Sequence, residues 1–92
     1  MEFIRYYLRV EGGIEMKKVS LIHMKANSKG KVMEISGGSV MRERLMNMNV
    51  FEGKEITKLS HIGLRGPVVI KAGRSILALG HNVAVRVTVE VL

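Results

Sequence analysis

Val85-Arg86-Val87-Thr88-Val89-Glu90-Val91 places valine at every second position, with arginine, threonine and glutamate between. This alternation describes a strand with one buried face, because successive side chains of an extended chain point to opposite sides. The valines then need other strands and a core to cover them, so the stretch argues for a sheet. Immediately upstream, Pro67-Val68-Val69-Ile70-Lys71 and Ser75-Ile76-Leu77-Ala78-Leu79 flank Ala72-Gly73-Arg74. That pattern predicts a hairpin in which Gly73 takes a positive φ. Residues 53–60 (GKEITKLS) and 30–35 (GKVMEI) read as two earlier strands, and residues 80–84 as one helical turn between the last two strands.

One longer helix is expected over residues 39–48. Ser39 can cap its start, although Arg42 stands where a capping box would put Glu or Gln. Met41, Leu45 and Met48 share one face at i, i+4, i+7, with Arg42, Glu43 and Asn47 on the other. Asn49 ends it at a position suited to a left-handed residue. About five short strands, one short α-helix after the first of them and a helical turn before the last predict a mainly β domain. Its expected form is a small SH3-like β-barrel, with an OB-type barrel as the competing architecture.

Composition limits the chemistry. Ninety-two residues make one small domain, and 47% hydrophobic residues can supply its core. There is no Cys, which removes disulfides, thiolate metal sites and cysteine nucleophiles. There is no Asp, which removes the usual orienting carboxylate of a Ser-His-Asp triad. No run of about 18 apolar residues and no signal-peptide pattern occurs, so a cytoplasmic location is expected. The net charge of +7, from 15 basic and 8 acidic residues, favours an acidic partner, an anionic membrane surface or nucleic acid.

Candidate sites are few. Of the domain's carboxylates, Glu34, Glu43, Glu52, Glu55 and Glu90, the Glu52 and Glu55 pair reads as solvated turn residues rather than a catalytic pair, and Glu43 as surface ion-paired beside Arg42 and Arg44. His23, His61 and His81 lack metal-ligand spacing but are weak candidates for a metal if the fold gathers them. No resident cofactor is expected beyond weak divalent-metal binding. The methionines read as adaptable packing, and Gly37-Gly38 as a turn before the helix. Lysines and arginines run along the whole domain, yet Phe51 is the single aromatic residue after Tyr7. The charge that nucleic-acid binding needs is present, and the stacking surface is missing.

The ordered set of features resembles the FeoA family of small cytoplasmic proteins of ferrous iron uptake, a module also found at the C-terminus of iron-dependent repressors. The resemblance runs from about Val19 to Val91. It rests on the leucine turn from Leu21, Ala26-Asn27-Ser28-Lys29-Gly30, Arg44-Leu45, Asn49-Val50-Phe51-Glu52-Gly53, the loop from Ile62 to Pro67, the Gly73 hairpin and Ala84-x-x-Val87-x-Val89. Two turn glycines of the family are Asn27 and Asn49 here, and asparagine tolerates the same left-handed backbone. The family's Pro-Leu-Gly-Asp-Pro loop becomes Gly63-Leu64-Arg65-Gly66-Pro67, and a frequent arginine becomes Gly80.

The resemblance implies a non-catalytic accessory protein that acts on a FeoB-like membrane GTPase permease, meeting the membrane only peripherally. The expected contact surface is Arg42, Arg44, Leu45, Met48 and Phe51 with Leu64, Arg65 and Pro67. Leu45, Met48 and Phe51 also fit plain core positions. The alternatives are a metal-sensing or transcription-linked module and a basic nucleic-acid-binding barrel. Homo-oligomers are compatible with exposed strand edges. Residues 1–15 read as an N-terminal extension, either a strand or helical arm ending at Gly12-Gly13 or a mis-assigned start, with the domain spanning 16–92.

Overall fold

The computed structural model describes the backbone of residues 7–11 and 14–91 and the side chains of residues 17–91. Phe3, Tyr6 and the Gly12-Gly13 pair lie outside the described residues. The elements run β1 (Tyr7–Glu11), β2 (Ile14–Ser20), a 3-10 turn (Leu21–His23), β3 (Ser28–Ile35), α1 (Gly38–Asn47), β4 (Glu55–His61), β5 (Val68–Ala72), β6 (Ser75–Leu79), α2 (His81–Ala84) and β7 (Val87–Val91). The seven strands form one antiparallel sheet in the order β1-β2-β7-β3-β4-β5-β6. The five strands expected from the sequence are β3 to β7. The structure adds β1 and β2, which pair with each other, and β2 pairs with β7 from Lys17↔Val91 to Ser20↔Thr88.

The final strand sits between β2 and β3, so both its edges are paired. Val87 and Val89 are fully buried. Glu90 alternates to the opposite face yet is only 5% exposed. Its neighbours across the two ladders are Lys18 and Lys31, an arrangement in which opposite charges face each other between strands.

Two bulges shape the sheet. In β3 the pairing slips between Val32 and Glu34. The extra residue changes the inward positions from Gly30 and Val32 to Ile35, so the last turn of the strand delivers Ile35 to the core. In β4 the pairing slips between Lys58 and Ser60.

Helix α1 starts at Gly38, one residue earlier than expected. Its N-cap is Gly37, at φ 113, and no side chain caps it. The capping role expected of Ser39 is therefore corrected: Gly38, at φ 84, opens the helix and carries Ser39 into its first turn. The C-terminus follows the sequence closely. Asn49 has φ 67, as Asn27 has φ 64. The Asn49 and Val50 amides then close on the carbonyls of Met46 (2.9 Å) and Leu45 (2.8 Å).

One apolar cluster joins Leu21, Val32, Leu45, Val50, Ile56, Ile70, Ala84, Val87 and Val89 with their neighbours. Lys58 enters it from β4 at 3% exposure, and its Nζ donates to the Ile22 carbonyl at 3.1 Å. Burial penalises the ammonium and holds its pKa below the usual lysine value. A folded pKa below the unfolded one means that the unfolded chain binds more protons through the window between them. Stability therefore rises with pH until the unfolded lysine titrates near about 10.4. Lys58→Met removes this slope, and denaturant unfolding of both proteins between pH 7 and 10 should show the wild type gaining on the variant as pH rises. Parallel curves for the two proteins would show that Lys58 does not titrate differently on unfolding.

Candidate functional site

Helix α1 has one fully buried residue, Leu45, with exposed side chains along its flanks. Two depressions flank it. One, about 150 Å³, is lined by Met41, Arg44, Leu45 and Met48 with Ala78, Leu79, Gly80 and Val83. It lies between α1, the end of β6 and α2. The other, about 340 Å³, is lined by Ile35, Ser39, Arg42, Glu43, Met46, Phe51 and Glu52.

The expected contact residues are thus divided by the helix. Arg44, Leu45 and Met48 share the first depression, and Arg42 and Phe51 share the second. Leu45 is 0% exposed and belongs to the core, so it shapes the floor of its groove rather than presenting a surface. Met48 is 37% exposed. Phe51 is half-buried, with the Lys54 ammonium 5.9 Å from its ring centre. Val40 (70% exposed) and Met46 (59%) also face outward. The helical periodicity that picked out Met41, Leu45 and Met48 gives these two no separate signal.

Leu64, Arg65 and Pro67 stand together on the loop between β4 and β5. Leu64 is 92% exposed and Ile62 59%. The loop is closed at its root by the Ile62 amide donating to the Pro67 carbonyl at 3.0 Å. Gly63 has φ 67, and a Cβ at Gly66 would collide with the Ile62 carbonyl. The two glycines thereby set a tight loop that holds apolar side chains out in water, an arrangement that favours a partner able to cover them.

A basic surface lies on the outer face of the sheet. Lys29, Thr57 and Lys71 are neighbours across β3, β4 and β5. With Lys54, Glu55 and Gly73 they line a depression of about 360 Å³. Lys31 stands across from Glu55, which offsets part of the charge.

The histidines separate into a pair and a remainder. His61, at the end of β4, and His81, at the start of α2, have stacked rings with centres 6.2 Å apart and planes 25° apart. His23 lies in the 3-10 turn. Among the described residues, no three His, Cys, Asp or Glu side chains form a group able to hold a metal ion. None of the described helices is long and apolar enough to cross a membrane.

Comparison with known proteins adds the following. The model of the FeoA domain family matches residues 19–91. A crystal structure of an iron uptake regulatory protein, FeoA, is 35% identical, with a TM-score of 0.70 over 78% of this chain and 93% of that one. An NMR structure of a FeoA-like protein from Clostridium acetobutylicum is 28% identical, with a TM-score of 0.71 over 82% of this chain and 87% of that one. The zinc complex of Stenotrophomonas maltophilia FeoA, described as a procaryotic SH3 domain protein, is 19% identical, with a TM-score of 0.60 over 75% of this chain and 86% of that one. The fold is thus SH3-like, as the strand order led us to expect. No curated protein sequence matches the chain significantly.

Proposed function

The chain belongs to the FeoA domain family, and from that premise we propose that it is a non-catalytic accessory protein of ferrous iron uptake, acting in the cytoplasm on a FeoB-like GTPase permease. The observation that carries the docking part of this reading is the loop between β4 and β5. It displays Ile62 and Leu64 beside Arg65 on a root fixed by backbone geometry. An apolar anchor next to a guanidinium on a pre-shaped loop suits a protein surface with a complementary pocket and a carboxylate. The Arg44 and Met48 groove at the helix end offers a second contact of the same character. The basic row of Lys29 and Lys71 suits proximity to an anionic inner leaflet, where each surface cation contributes about 1 kcal/mol.

An amide NMR titration against the cytoplasmic GTP-binding domain of a FeoB-like permease, at about 150 mM salt to screen loose charge pairing, tests the reading. Shifts should concentrate in residues 61–68 and at the C-terminal end of α1. The double change Leu64→Glu and Arg65→Glu should weaken the complex at least about tenfold, equivalent to about 1.4 kcal/mol. A partner that binds both proteins equally well, or shifts confined to the outer basic row, would remove this loop from the interface.

A further inference from the structure

We propose that His61 and His81 form a two-imidazole chelate for a late first-row divalent cation, with its remaining positions open to water or to a donor from a docked protein. The two residues are distant in sequence and are brought together by the sheet. His61 stands across from Val68 on β5, and Val68 stands across from Leu79 on β6. Two residues beyond Leu79 the chain reaches His81 and α2. Both ligands therefore sit on regular elements at one end of the sheet.

Three observations point to an ion. The ring centres are 6.2 Å apart. A ligating nitrogen lies about 2.0–2.1 Å from zinc and about 1.1 Å from its own ring centre. Two rings sharing an ion therefore have centres about 5.2 Å apart at the tetrahedral angle and about 6.4 Å apart with the nitrogens opposite each other. The observed spacing fits a wide-angle pair that closes by up to about 1 Å on a tetrahedral ion. The second observation is that Nε2 of His61 and Nδ1 of His81 are both shielded from solvent and have no hydrogen-bond partner. A shielded ring nitrogen without a partner is costly, and either an ordered water or a bound ion satisfies it. The third is the ligand chemistry. Neutral imidazoles select zinc, nickel, copper and iron over magnesium and calcium, which prefer oxygen donors.

The pair also has a defined position. His61 precedes the exposed loop, and Val68, across from His61, follows it. An ion held by His61 and His81 would tie the root of that loop to α2. The inference does not rest on the transport reading, because its test involves no partner protein.

Zinc is the probe, titrated into the full chain at pH 7.5 while long-range nitrogen–proton spectra follow all three histidine rings. The expected result is one zinc per chain, with Nε2 of His61 and Nδ1 of His81 moving on a single binding curve and the His23 ring still. His61→Gln and His81→Gln should each weaken zinc at least about tenfold, and His23→Gln should leave affinity within about twofold. Amide spectra of the variants report whether each remains folded, and the wild-type titration decides the matter independently of them. Separate curves for the two rings, no movement at millimolar zinc, or an equal loss in His23→Gln would each overturn the proposal.

Discussion

Leu45→Ala is expected to lower the unfolding free energy by about 2–5 kcal/mol. Leu45 is fully buried and is the residue through which α1 enters the core. Its backbone carbonyl also receives the Met48 and Val50 amides, at 3.0 and 2.8 Å, so the turn that closes the helix is tied to the residue the core holds. Natural domains have about 5–15 kcal/mol in total, and small ones fall toward the lower end. Urea unfolding should therefore show a large fall in midpoint with little change in slope. A loss below about 1 kcal/mol would mean that the cavity collapses freely and that α1 is held by its ends instead. The groove beside the helix has Leu45 in its lining, so the same change should also reshape the groove at Arg44 and Met48.

Asn49→Val is expected to cost about 2–4 kcal/mol, combining backbone strain of about 1–3 with a lost hydrogen bond of about 0.5–1.5. The residue has φ 67, which a β-branched side chain resists. The Asn49 Nδ2 donates to the Ala72 carbonyl at 3.3 Å, and a Cβ on Gly73 would come within 3.0 Å of that nitrogen. Asn49 thus joins the end of α1 to the turn of the β5–β6 hairpin. Asn49→Gly separates the two contributions, because glycine accepts the backbone and loses only the side-chain bond. It should cost about 0.5–1.5 kcal/mol. Equal thermal unfolding of the glycine and valine variants would show that φ at this position carries no strain.

The same residue shows why much of the fold could be read in advance. Asn27 and Asn49 stand where the chain must turn left-handed, and asparagine is the non-glycine residue that does so most readily. The hairpin around Gly73 and the strand ending at Val91 follow from local rules of the same kind. Local rules do not reach the two bulges. Alternation through β3 keeps even-numbered residues inward, whereas the slip beyond Val32 turns Ile35 to the core. Nor do they reach Lys58, whose burial depends on a carbonyl 36 positions away in sequence, or Glu90, which β2 and β3 enclose from both sides. The helix contacts show the same limit. Periodicity grouped Leu45 with Met48, but only the packed structure distinguishes the buried side chain from the half-exposed one. The histidine pair is invisible in spacing, because its members stand twenty positions apart with two strands between them.

The order of the strands bears on how the protein is made. β7 is the last element of the domain to be synthesised, and it is the strand that joins β2 to β3. Until residues 87–91 have left the ribosome, the hairpin of β1 and β2 has no ladder to the four strands that follow it. The nascent chain then holds two unconnected pieces of sheet, each with an open edge where β7 will pair. Closure needs contacts between the two ends of the domain, which slows folding relative to a helical bundle of the same size. Closure therefore waits for the final valines, and their pairing with β2 and β3 is the step that joins the two pieces.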